Sequence, residues 1–364
     1  MLEGLRIVEI EGLGPAPFAA MMLADLGADV VVVHRKTADE SPAKVGRSLL
    51  DRGKRSIALD LKDAGDVALL KRLVATADGL VEGFRPGVME RLGLGPEVLR
   101  ALRPRLVYGR MTGWGQEGPR AHRTGHDLNY IAASGALWYA SPAGEPPFPP
   151  PTLVGDIGGG ALYLVAGMLA GLLRVQRSGE GCVVDAAIVD GSAHMMALLL
   201  SVEAIGGLET ERGRSLLDGP HWSRCYACAD GGWLSVQCLE SKFYAIFLEK
   251  LGLGKDPAFA AQFDRTAWPV LSARLAGVFA ERPLAHWAKV FDGSDACVVP
   301  VSPPGTATKD PHIAARGIWT EADGRLQPRA APRFDGRTPA DPPPIPARDA
   351  NRHDILAELG AAEG

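Results

Sequence analysis

Arg6-Ile7-Val8-Glu9-Ile10, the helix-spaced stretch from Ala16 to Leu26, and Val30-Val31-Val32-Val33 decide the fold. The first is a short apolar strand, and the β-branched run suits a strand buried on both faces. Strand, helix and strand at that spacing make a right-handed βαβ unit. The alternation continues with a strand at Ser56 to Leu59, a helix at Asp63 to Ala77, a strand at Gly79 to Glu82, a helix at Gly95 to Leu102 and a strand at Leu106 to Met111. An α/β fold with a Rossmann-like parallel sheet, helices on both faces, is the expectation.

Further on, a proline-rich connection from Ser141 to Pro151 separates this region from two apolar helical runs, Ile157 to Gln176 and Ala187 to Leu208, with a strand at Val183 to Ala186 between them. Runs so apolar belong in a core or a subunit interface. From about Leu217 the pattern changes to a hairpin, Tyr226 to Ala229 and Trp233 to Cys238 around Asp230-Gly231-Gly232. Helices are expected near Lys242 to Leu251 and Val270 to Phe279, then a proline-dense tail ending in a helix from Asp354 to Leu359. The expected domains are a large one over 1–186, a helical linker over 187–215, a small α+β domain over 216–320 and a tail over 321–364 that returns to the large domain.

With 364 residues, 46% hydrophobic and 23% charged, the chain can bury a sizeable core. A net charge of −4 argues against a nucleic-acid partner. Met1 to Arg6 shows no basic segment leading into an apolar one, so a cytoplasmic location is expected. The longest uncharged apolar run, Ile157 to Leu173, holds five glycines in 17 residues, short of the ~20 that span a bilayer; no membrane partner is expected. Five cysteines, an odd number, suggest free thiols. Cys225, Cys228, Cys238 and His221 make a partial zinc pattern that lacks a second tight pair, and no metal is expected.

Gly12-Leu13-Gly14-Pro15-Ala16-Pro17 only superficially resembles a dinucleotide fingerprint, since Pro17 replaces the third glycine and the next strand ends in His34, Arg35 and Lys36 rather than an acid. From Arg35 to Lys62 there are eight basic residues (Arg35, Lys36, Lys44, Arg47, Arg52, Lys54, Arg55, Lys62) against four acidic ones (Asp39, Glu40, Asp51, Asp60). A solvated loop and a phosphate-rich ligand both explain that excess. Gly83-Phe84-Arg85-Pro86-Gly87-Val88 and Arg91 add a basic turn at the end of another strand. No Walker A serine or threonine and no G-x-S-x-G elbow is found.

Two motifs carry proton-transfer chemistry: Gly125-His126-Asp127-Leu128-Asn129-Tyr130 and Gly155-Asp156-Ile157-Gly158-Gly159-Gly160. His126 follows a glycine, which permits close approach of a ligand, and precedes a helical stretch whose free N–H groups stabilise negative charge. Asp156 is either a helix N-cap or a reacting carboxylate. Three glycines after it weaken a helix and make sense where something packs closely on that backbone.

These residues resemble the family III CoA-transferase superfamily and, within it, the α-methylacyl-CoA racemases. Leu5 to Glu9, Ala24 to Val30, Arg85-Pro86-Gly87, Arg110 to Gly115 and Val184 to Ala187 carry the superfamily likeness; His126, where transferases typically have phenylalanine, carries the racemase likeness. The resemblance implies epimerisation of 2-methyl-branched acyl-CoA thioesters through an enolate, with His126 and Asp156 as the acid/base pair and Glu240, from the small domain, orienting His126. The transferase alternative uses Asp156 as a nucleophile forming an anhydride. Implied CoA contacts are Arg35, Leu59, Asp60, Leu61, Lys62, Gly83, Phe84, Arg85, Pro86, Gly87, Val88, Arg91, Gly125, Asp127, Leu128, Asn129 and Tyr130. No cofactor beyond the CoA moiety of the substrate is implied, and the family fold is an interlocked homodimer. Arg224 stands where the racemases usually carry an acidic residue.

Overall fold

The computed structural model describes residues 1–36 and 48–361. Strands β1 (Arg6–Ile10), β2 (Asp29–Arg35), β3 (Arg55–Leu59), β4 (Gly79–Glu82), β5 (Val107–Thr112) and β6 (Val183–Ala187) form one sheet in the order β3-β2-β1-β4-β5-β6. All of its pairings are parallel, the order of a Rossmann sheet.

Period-two alternation sends successive residues of each strand to opposite faces, so the continuous apolar runs feed two cores. Ile7, Val30 and Val107 pack with α1 (Pro15–Asp25). Val8, Val31, Val33 and Ile57 pack with Leu70 and Leu73 of α2 (Ala64–Ala75), and with Ile355 and Leu359 of the C-terminal helix Arg352–Ala361. Helices α3 (Val88–Arg91) and α4 (Pro96–Leu102) follow β4, and α5 (Asp127–Ser134) follows β5.

Two expected helices are not continuous α-helices. The segment expected to begin a helix at Ile157 is a π-helix, Leu153–Ala161, which passes into α6 (Leu162–Ser178). The run expected from Ala187 to Leu208 breaks into α7 (Ile188–Met195), α8 (Ala197–Leu200) and a 3-10 turn, Glu203–Ile205. Leu153–Ser178 and Ile188–Ile205 are both long and apolar enough to cross a membrane by length and composition. Leu164, Val165, Met168, Leu172 and Val175 of α6 instead join the core against the sheet.

Internal packing divides the chain into two units, one of Met1–Ala136, Pro150–Met195 and Asp310–Gly364, the other of Leu137–Pro149 and Met196–Lys309. The second unit holds an antiparallel sheet of β7 (Ser223–Ala227), β8 (Trp233–Gln237) and β9 (Val298–Pro300). Helices α9 (Ser241–Lys250), α10 (Trp268–Ala280) and α11 (Leu284–Phe291) belong to it. Its core is aromatic, with Trp222, Tyr226, Phe247, Phe279 and Phe291 in one cluster.

The tail is less extended than its prolines suggest. It forms a hairpin, β10 (Trp319–Ala322) and β11 (Arg325–Pro328), and later reaches the β3 edge. There Asp349 Oδ1 accepts from the Ala58 amide at 2.6 Å, and Asn351 Oδ1 from the Ser56 amide at 2.9 Å. Edge groups that would otherwise invite another strand are thereby satisfied.

Candidate active site

In an open parallel sheet, ligands bind beyond the carboxyl ends of the strands, where the order reverses. Here that point lies between β1 and β4, and two clefts open along that edge. The first, about 360 Å³, is lined by Leu13 to Pro15 after β1, Gly83 to Pro86 after β4, Met111 to Trp114 at the end of β5, Arg123 to His126, Tyr130 and Asp156. A second cleft of about 410 Å³ is lined by Arg35, Lys36, Leu59 to Lys62, Phe84 and Val88. Phe84 lines both.

His126 is the N-cap of α5. Its own amide donates to Asn129 Oδ1 at 3.0 Å and its carbonyl accepts from the Asn129 amide at 2.8 Å. The backbone is thus held while the imidazole stays exposed and lines the cleft. Gly125 lines the cleft and is also required by the protein's own packing: a Cβ there would sit 2.7 Å from the Tyr130 ring and 3.0 Å from Trp114 Nε1. Tyr130 donates its hydroxyl to the Gly125 carbonyl and stands edge-on to Trp114, centroids 4.9 Å apart.

Asp156 is not an N-cap, because Thr152 takes that place, and it lies in the first turn of the π-helix. π-Helical turns concentrate at functional sites. Burial, and secondarily the charge of Asp127, push the Asp156 carboxyl up to about 6, while His126 opposes the rise. The glycines that follow pack against α7. A Cβ at Gly159 would meet Ser192 Oγ at 2.3 Å and the Ser192 amide nitrogen at 2.7 Å; one at Gly191 would meet the Gly159 carbonyl oxygen at 1.9 Å. Gly159→Ala is therefore expected to cost about 1–3 kcal/mol, read as a lower urea midpoint at unchanged slope; an unchanged midpoint would contradict this packing.

The turn after β4 is fixed by a buried carboxylate. Glu82 accepts from the Phe84 amide at 2.7 Å and pairs with Arg110 at 3.2 Å, and burial pushes it up to about 7. Arg85 reaches Thr124 Oγ1 at 3.1 Å.

Much of the basic excess between Arg35 and Lys62 is paired within the protein. Arg52 is buried against Asp25 at 2.6 Å, Lys54 against Glu9 at 2.5 Å, and Arg55 pairs with Asp29 and Glu358 at 2.6 Å each. Lys44, Arg47, Asp39 and Glu40 lie outside the described residues. Arg35, Lys36 and Lys62 do line the second cleft, with Lys36 also held by Asp66 at 2.6 Å.

Of the other residues singled out in the sequence, Gly87, Arg91, Asp127, Leu128 and Asn129 line neither cleft. Glu240 stands in the second unit as the N-cap of α9, exposed, its carbonyl accepting from Phe243 and Tyr244. His221, named in the partial zinc pattern, bonds Tyr244 Oη at 2.7 Å, and among the described residues no group of three His, Cys, Asp or Glu side chains is placed to hold a metal. Sequence reasoning missed Leu13 and Gly14, set aside with the weak fingerprint, and Arg123 and Thr124. The last two sit directly before the His126 motif, and that adjacency was the available signal.

Beyond the carboxyl ends of a Rossmann sheet, one cleft thus holds His126, an Asp156 carboxyl of raised pKa, Arg85 and Arg123, and the chain belongs to CoA-transferase family III, whose model matches residues 2–352. Among its relatives, an alpha-methylacyl-CoA racemase of Mus musculus is 40% identical over 100% of this chain and 94% of its own. The Homo sapiens protein of the same name is 39% identical over 99% and 93%. A crystal structure of a CaiB/BaiF family protein from Brucella suis superposes with a TM-score of 0.81 at 26% identity, covering 98% of each chain.

Proposed function

We propose that this protein epimerises 2-methyl-branched acyl-CoA thioesters by 1,1-proton transfer. One of the pair His126 and Asp156 removes the C2 proton, leaving a planar enolate, and the other returns a proton to the opposite face. The enolate charge is stabilised by the entrance of α5, whose first N–H groups follow His126. Two bases poised near working pH are what so weak a carbon acid requires. The transfer is redox-neutral, and no group beyond the CoA moiety is needed.

The observation that carries this reading is that His126 and Asp156 line one cleft beside Arg85 and Arg123. Full-length similarity to the two racemases supports it. In the proposal the nucleotide end of CoA lies in the second cleft with Arg35 and Lys62, and Glu240, supplied by a partner subunit, orients His126. A homodimer would cover the apolar side chains of Leu198 and Ile205, 75% and 76% exposed.

Incubation with a 2-methylacyl-CoA in heavy water tests the proposal. Deuterium at C2 is expected; no exchange, with hydroxylamine trapping an acylated Asp156, would mean a transferase. The pH profile is a second check. With the Asp156 carboxyl of the free enzyme at about 6, the direction that starts with Asp156 as base needs it ionised, so kcat/KM in that direction is expected to fall about tenfold per unit below pH 6. A flat profile from pH 4.5 to 7 would contradict that assignment.

A further inference from the structure

We propose that the Asp127 carboxylate is a positioning residue, a brace that ties the backbone carrying Asp156 to the helix entrance carrying His126. It rests for its catalytic consequence on the proton-transfer reading above. Although Asp127 adjoins His126 in sequence, it does not line the cleft and is 8% exposed. Its Oδ1 accepts from the Gly155 amide at 3.0 Å and the Asp156 amide at 2.9 Å, and its Oδ2 from the Thr152 amide at 3.3 Å.

The reason lies in the wide helix. The first intrahelical bond near its start runs from the Ile157 amide to the Thr152 carbonyl, so the N–H groups before Ile157 have no partner one turn back. A carboxylate from another element satisfies them, as a charged acceptor at a helix start does most strongly. The chain is shaped to admit it: a Cβ at Gly155 would sit 2.4 Å from Asp127 Oδ1, so residue 155 must lack one for the carboxylate to reach two successive amides. One residue thus opens α5 beside His126 and satisfies the Gly155 and Asp156 amides of the π-helix.

The brace also sets the field at the reacting carboxyl. Asp156 is faced by Asp127, His126 and the Tyr130 phenol from α5, by the uncharged Gly14 backbone at the start of α1, and by Ile188 and Ser192 from α7 beneath its glycines. Arg85 and Arg123 share the cleft. Burial raises Asp156 most, and Asp127 is the negative charge that adds to that rise.

Geometry and charge are separable. Asp127→Asn keeps one oxygen for the Gly155 and Asp156 amides and removes the charge; Asp127→Ala removes both. For Asp127→Ala, kcat is expected to fall by about 10²-fold, the cost of ~1 Å of misplacement, with KM for the acyl-CoA within about twofold of wild type. Amide exchange at Gly155 and Asp156 is expected to accelerate about tenfold through loss of a charged hydrogen bond. Asp127→Asn is expected to retain most of that protection and to move the Asp156 inflection to lower pH. A rise in KM at unchanged kcat would overturn the proposal in favour of ligand binding, and so would wild-type amide protection and pH profile in both variants. The amide-exchange readout does not depend on turnover. A wild-type enzyme that exchanges no C2 proton would refute the proton-transfer reading, while unchanged amide protection in Asp127→Ala would refute the brace.

Discussion

His126→Ala is expected to cut epimerisation by about 10²–10⁴-fold, the range for loss of a general acid/base, without loss of fold. The imidazole is exposed and the cap around it is made by backbone and by Asn129, so nothing in the core depends on the ring. The variant should keep its urea midpoint and its affinity for free CoA. It should also keep C2 exchange for one epimer, because Asp156 can still remove and return a proton on its own face. Racemisation followed by polarimetry, and exchange followed by mass spectrometry on each epimer separately, distinguish these effects. Equal loss of exchange from both epimers would contradict two independent bases.

Asp156→Asn is expected to give the complementary pattern: a similar loss of epimerisation, with residual exchange confined to the other epimer. Asparagine preserves shape, and the Asp127 brace engages the backbone amide of residue 156 rather than its side chain, so the π-helix should hold. The inflection near pH 6 should vanish with the carboxyl. If both variants retained exchange in the same epimer, His126 and Asp156 would not face opposite sides of C2.

Much of the fold was legible because each sheet strand announces itself locally. Val30 to Val33 is apolar on both faces, and the strand around it pairs Asp29 to Val33 with Arg6 to Ile10 and Val31 to Arg35 with Arg55 to Leu59, which alternation with helices anticipates. What stayed hidden depends on distant partners. Nothing near Lys54 or Arg52 in sequence reveals that Glu9 and Asp25 neutralise them, so they counted with the ligand-facing bases. Nor does hydropathy separate a π-helix from an α-helix when the segment is apolar nearly all round. The three glycines did signal close backbone packing; that the partner was α7 could come only from the fold. His126 and Asp156 were readable as candidates from their motifs, whereas the part played by Asp127 rests on hydrogen bonds 25 to 29 residues away.

The most direct test of the central claim is a crystal structure with a bound 2-methylacyl-CoA. The account predicts C2 between the two groups, within about 3–3.5 Å of a His126 ring nitrogen on one face and an Asp156 oxygen on the other. A C2 atom reached by only one of them, or by both from the same face, would contradict it.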